Sequence, residues 1–487
     1  MAELLSFLEQ QKTPIDIELL QAIEQNTLPL RAISLTIQQS GAYLSTITSL
    51  NFPQVKSPFT LNPIQESALE TILSNSPISL ISGIPGTGKT RIARACVHLA
   101  IEQEHRVLIL ANHQQTLTQY RDLPILPIYL SQPYKQQLKR WLQEKWQRAN
   151  LKALPLHLLP DRLIEDLPIY SDILKHTPEQ LHNHLKTHFP NISPARLDLL
   201  SYRVRTLTPL LEKQAQLQQS YKLLSQTAIE QLTTQMEESA AIPILGTFAE
   251  FTTRYRDELQ GKIFDLIFVE EAHLLTWKQV IQLACSCHKL VLFGDAIAPD
   301  NTIPFSYLER HLSPAYRLTL TEQFRLSPSL ARSILPLLAN RYIHTSFRRQ
   351  VNSPLNNPLL WQDIRSGEEN ERIWRFVQTE IPMNWRDRTG VITFSDTTKQ
   401  QLKSSCPEEL KNLIYIGTIN EWVGEERDLV LVRVEGKPQQ LDLMATRTLL
   451  TRGCLSLVFF GDLSQWEMST SLLSQLFDVI QIERELT

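Results

Sequence analysis

The chain has 487 residues, which at roughly 150 residues per domain predicts two to four domains. Hydrophobic residues make up 42% and charged residues 20%, enough to build real cores, so bulk disorder is excluded. With 48 basic against 51 acidic side chains the net charge is −3; no global basic field advertises nucleic acid, and any such binding has to be local.

The five cysteines (Cys96, Cys285, Cys287, Cys406, Cys454) form no CxxC pair and no zinc spacing, which reads as buried reduced thiols. The first twenty residues have neither a basic n-region nor an apolar h-region, and no apolar run nears the ~20 residues that span a bilayer. A soluble cytoplasmic protein with no membrane contact is expected. Glycine is scarce, 14 in 487, under half of the usual ~7%, so each one marks a demanding backbone position.

Residues 1–58 read as a segment of short helices, from Leu4, Leu5, Leu8 and then Ile15, Ile17, Leu19, Leu20, Ile23. Asn62-Pro63 is a good helix start, a capping side chain followed by proline in the first turn. From Pro77 the pattern becomes strand (ISLI), loop (SGIPGTGKT) and helix (RIARACVHLAIEQ), with further buried strands at 106–112, 264–269 and 289–295. Short continuous apolar runs separated by helices indicate a parallel sheet covered on both faces. Between Asn112 and about Ala240 the strand signal disappears; a helical insertion at about 113–240 is expected, ending in a long amphipathic helix over 209–239. A second strand–helix series starts near Tyr316 with YRLTLTEQF and continues at 390–395, 412–418, 427–434 and 455–462. The expected architecture is α/β: two tandem parallel-sheet domains, 59–312 (with the insertion) and 313–487, behind the N-terminal helical segment 1–58.

Gly83-Ile-Pro-Gly86-Thr87-Gly88-Lys89-Thr90 fits GxxxxGK[ST] between a strand and a helix, the context in which that pattern forms a phosphate loop. Successive amides and the helix N-terminus bind phosphate oxygens, Lys89 adds charge, and the Thr90 hydroxyl suits Mg²⁺. The strand 264–269 ends in Glu270-Glu271, which supplies carboxylates for metal and water.

In order and spacing the motifs resemble the superfamily 1 helicases, in the 5′-to-3′ branch typified by the nonsense-mediated-decay and replication helicase-nuclease motors. The resemblance covers about 59–112 and 241–470. Leu61-Asn-Pro-Ile-Gln65 resembles the Q motif, the phosphate loop is motif I, and 108–116 stands where motif Ia falls. Gly246-Thr247 stands before the acidic strand, Gly294-Asp295 resembles motif III, and Thr321-Glu-Gln323-Phe-Arg325 motif IV. Gly424-Glu-Glu426 resembles motif V and Leu450-Thr-Arg452 motif VI. The resemblance implies two RecA-like domains, ATP and Mg²⁺ as cofactors, and single-stranded DNA or RNA as partner. It implies that Gln65 reads adenine, that Gly83, Gly86, Thr87, Gly88, Lys89 and Thr90 hold phosphates, and that Thr90 and Glu270 serve the metal. Glu271 would polarise water, Gln323, Arg325 and Arg452 would reach the γ-phosphate, and Glu426 the ribose. A nucleotide switch acting on a protein partner and a non-catalytic, ATP-stabilised scaffold are the alternative readings. The N-terminal segment and the insertion are candidate surfaces for protein partners; a monomer is expected.

Three positions depart from the pattern: Glu270 stands in place of Asp, Ala298 in place of the motif III Gln, and Val423 in place of the Gln before Gly424. Neither Ala nor Val hydrogen-bonds from its side chain, so weakened coupling to the strand is expected, with Asp295, Thr418 or His273 carrying what remains. Within 131–152 six basic residues stand against Glu144, with Trp141 and Trp146 among them, a composition suited to single strands. Five residues apart, however, the two rings lie on different faces of a helix. Cys285-Ser-Cys287-His288 has the wrong spacing for zinc and reads as structural.

Overall fold

The computed structural model of the chain describes residues 2–25, 28–38, 59–123, 127–133, 136–141, 177–202, 204–205, 243–254, 264–295, 302–338, 343–347, 349, 351–364, 367–435, 443–466 and 474–484. Two compact units result, one of residues 1–130 with 241–487 and one of residues 131–240.

In the larger unit the first sheet has seven strands: β1 (Ile78–Ser82), β2 (Val107–Ala111), β3 (Ile128–Tyr129), β4 (Ile244–Thr247), β5 (Phe264–Val269), β6 (Cys287–Gly294) and β7 (Arg317–Thr319). Their spatial order is β3-β4-β2-β5-β6-β1-β7, every pair parallel. β1 and β2 are buried at all five positions, as strands covered on both faces must be. The helices Pro63–Leu73 and Lys89–Glu102 supply Ala68, Leu69, Ile72, Ile92, Cys96 and Leu99 to one core with Ile81, Ile109 and Phe268. The first of these helices carries a full capping box between Asn62 and Gln65. Parallel strands leave their C-terminal ends on one edge, and this order sets the ends of β2, β5, β6 and β1 side by side there.

The N-terminal segment is helical where described: Ala2–Gln10, Ile17–Glu24 and Leu28–Ile37. It rests against the helices Trp277–Cys285 and Pro304–His311, with the Phe7 ring 5.1 Å from Trp277 and 4.9 Å from Tyr307. Asp16 caps its second helix and pairs with Lys278.

A two-stranded ladder, β8 (Glu322–Gln323) with β9 (His344–Thr345), leads to a second parallel sheet. That sheet holds β10 (Leu359–Asp363), β11 (Thr389–Thr393), β12 (Tyr415–Thr418), β13 (Arg427–Arg433), β14 (Gly453–Gly461) and β15 (Gln481–Arg484), in order β12-β11-β13-β14-β10-β15. Trp422 lies fully buried beneath it and donates from its indole N–H to Val391 O at 3.2 Å. Gly390 leaves the room: a Cβ there would stand 2.4 Å from the Trp422 ring. Among the described residues no helix is long and apolar enough to cross a membrane.

The two-sheet α/β architecture stands as expected, with corrections at its boundaries. Arg317–Thr319, expected to open the second domain, pairs with β1 instead; Leu320 N–H donates to Ser82 O at 2.8 Å and the Ser82 and Thr319 hydroxyls meet at 2.8 Å. The first sheet therefore runs past the expected end at 312. The inserted unit begins at Ser131 rather than about 113, because β3 belongs to the first sheet, and a two-residue strand carries no periodicity to read. The helix expected over 209–239 lies outside the described residues. Within the inserted unit, Thr177 caps the helix Pro178–His188, whose Leu181 and Leu185 are buried.

Lys289 is an unexpected interior cation on β6, 2% exposed. Its ammonium donates to Ser74 O at 2.6 Å, Ser76 O at 2.8 Å and Ser76 Oγ at 3.3 Å. Burial still pushes its pKa down from 10.5 to about 7. Above pH 7 the folded chain binds less proton here than the unfolded chain, so this residue's contribution to stability rises with pH up to about 10.5. Urea unfolding between pH 7.5 and 9.5 is expected to show wild type gaining about 1.4 kcal/mol per pH unit relative to Lys289→Met. Parallel pH profiles of the two proteins would refute the assignment.

Candidate nucleotide site

The loop after β1 is tethered to β6 by Gly83 N–H donating to Gly294 O at 3.1 Å. Thr87 Oγ1 closes it by donating to Ile84 O at 2.9 Å. Gly86 (φ +87°) and Gly88 (φ +86°) take left-handed backbone that side chains rarely adopt. Each is also approached closely: a Cβ on Gly86 would lie 2.7 Å from Arg325 Cβ, and one on Gly88 2.4 Å from Gln65 Nε2. Gly88 then opens the helix Lys89–Glu102, whose first-turn amides face the cleft. Lys89 Nζ donates to Gly83 O at 2.5 Å and Ile84 O at 3.1 Å. Burial lowers its pKa, and the charges of Asp295 and Glu270 oppose that shift.

Two carboxylates follow β5 and differ sharply. Glu270 is 3% exposed, accepts from Tyr120 OH at 2.7 Å and is bonded by the Thr90 hydroxyl. Burial raises its pKa, against those two bonds and the charge of Lys89. Glu271 sits at φ +55°. It accepts from Asn112 N–H at 3.1 Å, His113 Nδ1 at 3.2 Å and Thr116 Oγ1 at 3.4 Å. Burial works to raise its pKa, but the hydrogen bonds from His113 and the Asn112 amide work against it, and the carboxyl lies below its usual range. Burial holds His273 neutral, its pKa down at about 3, and its Nδ1 accepts from Asp295 N–H at 3.2 Å.

The second domain faces these groups across a cleft of about 420 Å³. Arg325 lines it, donating from Nε to Glu426 Oε2 at 2.7 Å and from Nη1 to Thr451 O at 3.4 Å. Glu426 is also held by Arg349 Nη2 at 2.6 Å, and Arg349 and Arg388 both pair with the buried Asp428. Arg452 is 8% exposed; its Nη1 donates to Glu425 O at 3.3 Å, and its Nε is buried without a hydrogen-bond partner. Burial and the neighbouring Arg325 push its pKa down to about 9, with Glu271 and Glu426 pulling the other way. Arg447, from the same helix Leu443–Arg452, crosses the cleft to pair with Asp295 at 3.4 Å, both side chains buried.

Of the residues expected here, Gly86, Gly88, Lys89, Thr90, Glu270, Glu271, Asp295, Arg325, Glu426 and Arg452 all line this one cleft. Others are placed differently. Gln65, expected to read adenine, is buried with Oε1 on Asn62 N–H (3.1 Å) and Nε2 on Thr87 O (3.1 Å); both amide atoms are engaged in holding the loop. Gln323, expected to reach the γ-phosphate, is fully buried, and its amide accepts from Arg325 N–H and Leu326 N–H and donates to Leu326 O and Thr345 Oγ1. It shapes the turn that presents Arg325. Gly83 and Thr87 shape the loop from behind, and Glu426 grips arginines. Thr418, outside the cleft lining, donates its N–H to Glu421 Oε2 at 2.9 Å. Trp141 belongs to the inserted unit, and Trp146 and Ala298 lie outside the described residues.

Sequence reasoning missed His113, Thr116, Tyr120, Arg349 and Arg447. His113 had a usable signal, since it follows the C-terminal end of a central parallel strand as Glu270 does. Arg447 had none, being five residues before Arg452 and so off its helical face.

Two tandem parallel sheets with a glycine loop, strand-end acids and facing arginines form the arrangement of a P-loop nucleotide-binding protein. Residues 60–297 match the AAA_11 family model, described as an AAA domain. The matched stretch holds the glycine loop and the acidic end of β5. No curated protein sequence matches the chain. Among solved structures it is similar to the PRRSV helicase, at 13% identity and a TM-score of 0.35 over 82% of this chain and 55% of that one. It is also similar to arterivirus nonstructural protein 10 (helicase), solved with DNA, at 11% identity and a TM-score of 0.35 over 85% of this chain and 65% of that one. The chain thus spans about half to two thirds of their length, and likeness this distant carries no weight beside the residues themselves.

Breaking the buried Asp295–Arg447 pair from one side leaves an uncompensated charge. Asp295→Ala is therefore expected to destabilise the chain by about 3–5 kcal/mol, and the double change Asp295→Ala with Arg447→Met by clearly less. Urea unfolding of wild type, Asp295→Ala, Arg447→Met and the double variant checks this; a double variant as unstable as the sum of both singles would show that the two side chains act independently.

Proposed function

We propose that the chain is an ATP-driven motor of the 5′-to-3′ superfamily 1 branch that translocates on or remodels single-stranded DNA or RNA. The observation that carries the ATPase reading is the facing of Lys89, Thr90, Glu270 and Glu271 by Arg325 and Arg452 across one cleft. Five cations (Lys89, Arg91, Arg325, Arg447 and Arg452) with a phosphate loop favour a polyphosphate, and a cleft of about 420 Å³ is ample for a nucleotide. Phosphoryl transfer needs positioning and charge stabilisation above all; Arg452 comes from the domain opposite the loop and Arg325 from the crossing between the two sheets.

Thr90 and Glu270 would hold Mg²⁺ and its water shell. Magnesium at such sites takes one or two protein oxygens besides phosphates and water, and this hydroxyl–carboxylate pair fits that need. The ion would neutralise charge developing on the β- and γ-phosphates. Glu271, held below the usual carboxylate range beside Arg452, would accept the proton of the attacking water. Reading of single strands rests on the ordered motif set. The nucleotide-switch alternative draws on Ala298 and Val423, which leave no side-chain hydrogen bond at the two expected coupling positions.

ATPase rates with and without single-stranded DNA and RNA separate the readings: stimulation supports the motor, and basal turnover alone favours the switch. Stimulation should fall steeply with salt, because phosphate contacts release counterions. Lys89→Ala is expected to abolish detectable hydrolysis, and turnover equal to wild type would remove the loop from the argument. Glu271→Gln should bind ATP yet hydrolyse it at least ~10²-fold more slowly, whereas Glu270→Gln should act mainly on Mg²⁺ dependence. Exchanged phenotypes would place the base at 270.

A further inference from the structure

The two glutamines expected to couple the cleft are Ala298 and Val423 in this chain. The structure offers another link. We propose that residues 112–116, at the C-terminal end of β2, tie the position of the second domain to that of the Glu271 carboxylate, with His113 as positioning residue and Gln115 as the contact across the cleft.

The Glu271 side of the link is made by three donors from this one stretch: Asn112 N–H and His113 Nδ1 on Oε2, and Thr116 Oγ1 on Oε1. Glu271 depends on them because its backbone, at φ +55°, is not the conformation a glutamate prefers. The His113 tautomer is fixed from its far side. Asn112 Nδ2 lies 3.3 Å from His113 Nε2, so Nε2 accepts and Nδ1 carries the proton towards the carboxylate.

The far side of the link is the loop after β12. With its amide turned to donate, Gln115 reaches Glu421 O at 3.1 Å and Val423 O at 2.9 Å. Gly424, at φ +88°, faces the same stretch, its would-be Cβ 3.9 Å from Gln115 Cβ and 4.0 Å from Thr116 N. Replacing glutamine by Val423 removed a side-chain amide but kept the main-chain carbonyl, and that carbonyl is what Gln115 takes. Five consecutive residues thus contact both the hydrolytic carboxylate and the opposite domain. A shift of the 421–424 loop is felt at Glu271 through a stretch too short to absorb it.

This inference rests on the ATPase reading above, in which Glu271 is the base. The test is steady-state ATP turnover of the full chain for wild type, Glu271→Gln, His113→Ala, His113→Asn, Gln115→Ala and the double variant His113→Ala with Gln115→Ala, with thermal melts as a folding control. His113→Ala should lower kcat ~10-fold or more with KM for ATP within about two-fold, the mark of a group that acts on the transition state rather than on binding. His113→Asn should recover most of the loss, because its amide places a donor near the former Nδ1. Gln115→Ala alters an exposed side chain that does not touch Glu271. It should still lower kcat ~3-fold or more at unchanged KM, and the double variant should be no slower than His113→Ala to within about two-fold, since coupled residues are not additive. Unchanged kcat in Gln115→Ala, or losses that multiply in the double variant, overturns the link while leaving the ATPase reading intact. Equal turnover in wild type and Glu271→Gln overturns both. Should His113→Ala fail to fold, Gln115→Ala decides alone.

Discussion

The arrangement of the cleft depends on one backbone hydrogen bond, from Phe324 N–H to Gly86 O at 2.9 Å. It joins the phosphate loop of the first domain to the chain entering the second, and glycine is what permits the approach, since a Cβ at 86 would meet Arg325 Cβ at 2.7 Å. On either side the backbone is pinned, Leu320 N–H to Ser82 O at 2.8 Å and Ser327 N–H to Cys454 O at 2.7 Å. Within these eight residues the chain crosses from the edge of one sheet to the other, and Arg325 is delivered against the loop by construction. The buried Gln323 amide keeps the crossing rigid by taking up the N–H groups of Arg325 and Leu326.

Charge organises what the backbone has placed. Arg325, Glu426, Arg349, Asp428 and Arg388 alternate in sign along one network, so each carboxylate is shared by two guanidinium groups. Such sharing fixes orientation, because a planar guanidinium presents its donors in a rigid fork. Arg452 is outside that sharing. Buried beside Arg325, it is a cation whose charged form is poorly supported by its surroundings, which is the property expected of a group whose partner is an anion brought into the cleft.

Much of this was legible in the sequence, and the illegible part has a physical pattern. β1, β2, β5, β6, β13 and β14 announced themselves because strands buried on both faces are continuous apolar runs. β3 and β15 lie at sheet edges, two and four residues long, and too little of each is buried to leave a signature. The apolar pattern of Arg317–Leu320 shows a strand but not the sheet it joins, a choice made by the hydrogen bonds to β1. Lys89, Glu271, Arg325 and Arg452 could be found because a loop, a strand end and short motifs mark them. Gln65 and Gln323 were found from their motifs, but the buried backbone groups they satisfy here could not be foreseen, because a glutamine that contacts a ligand and one that satisfies buried backbone look alike in a sequence.

The Glu270 departure shows how a local substitution is absorbed. Glutamate in place of aspartate adds a methylene to the arm and would carry the carboxylate past the position an aspartate holds. In this chain the longer arm ends in a fitted cradle: Tyr120 OH donates to Oε1 at 2.7 Å from one side, and the Thr90 hydroxyl bonds the carboxylate from the loop. Tyr120 is itself fully buried in the first-domain core, so its hydroxyl cannot wander, and leaving it without the carboxylate would strand a buried donor. Tyrosine and glutamate therefore require one another. The segment after β2 that brings Tyr120 to Glu270 also brings His113 and Thr116 to Glu271, so both carboxylates of the β5 end are positioned by the same short stretch of chain. That shared support makes the acidic strand end and the stretch following β2 one physical unit, although nothing in the linear sequence joins residues 150 positions apart.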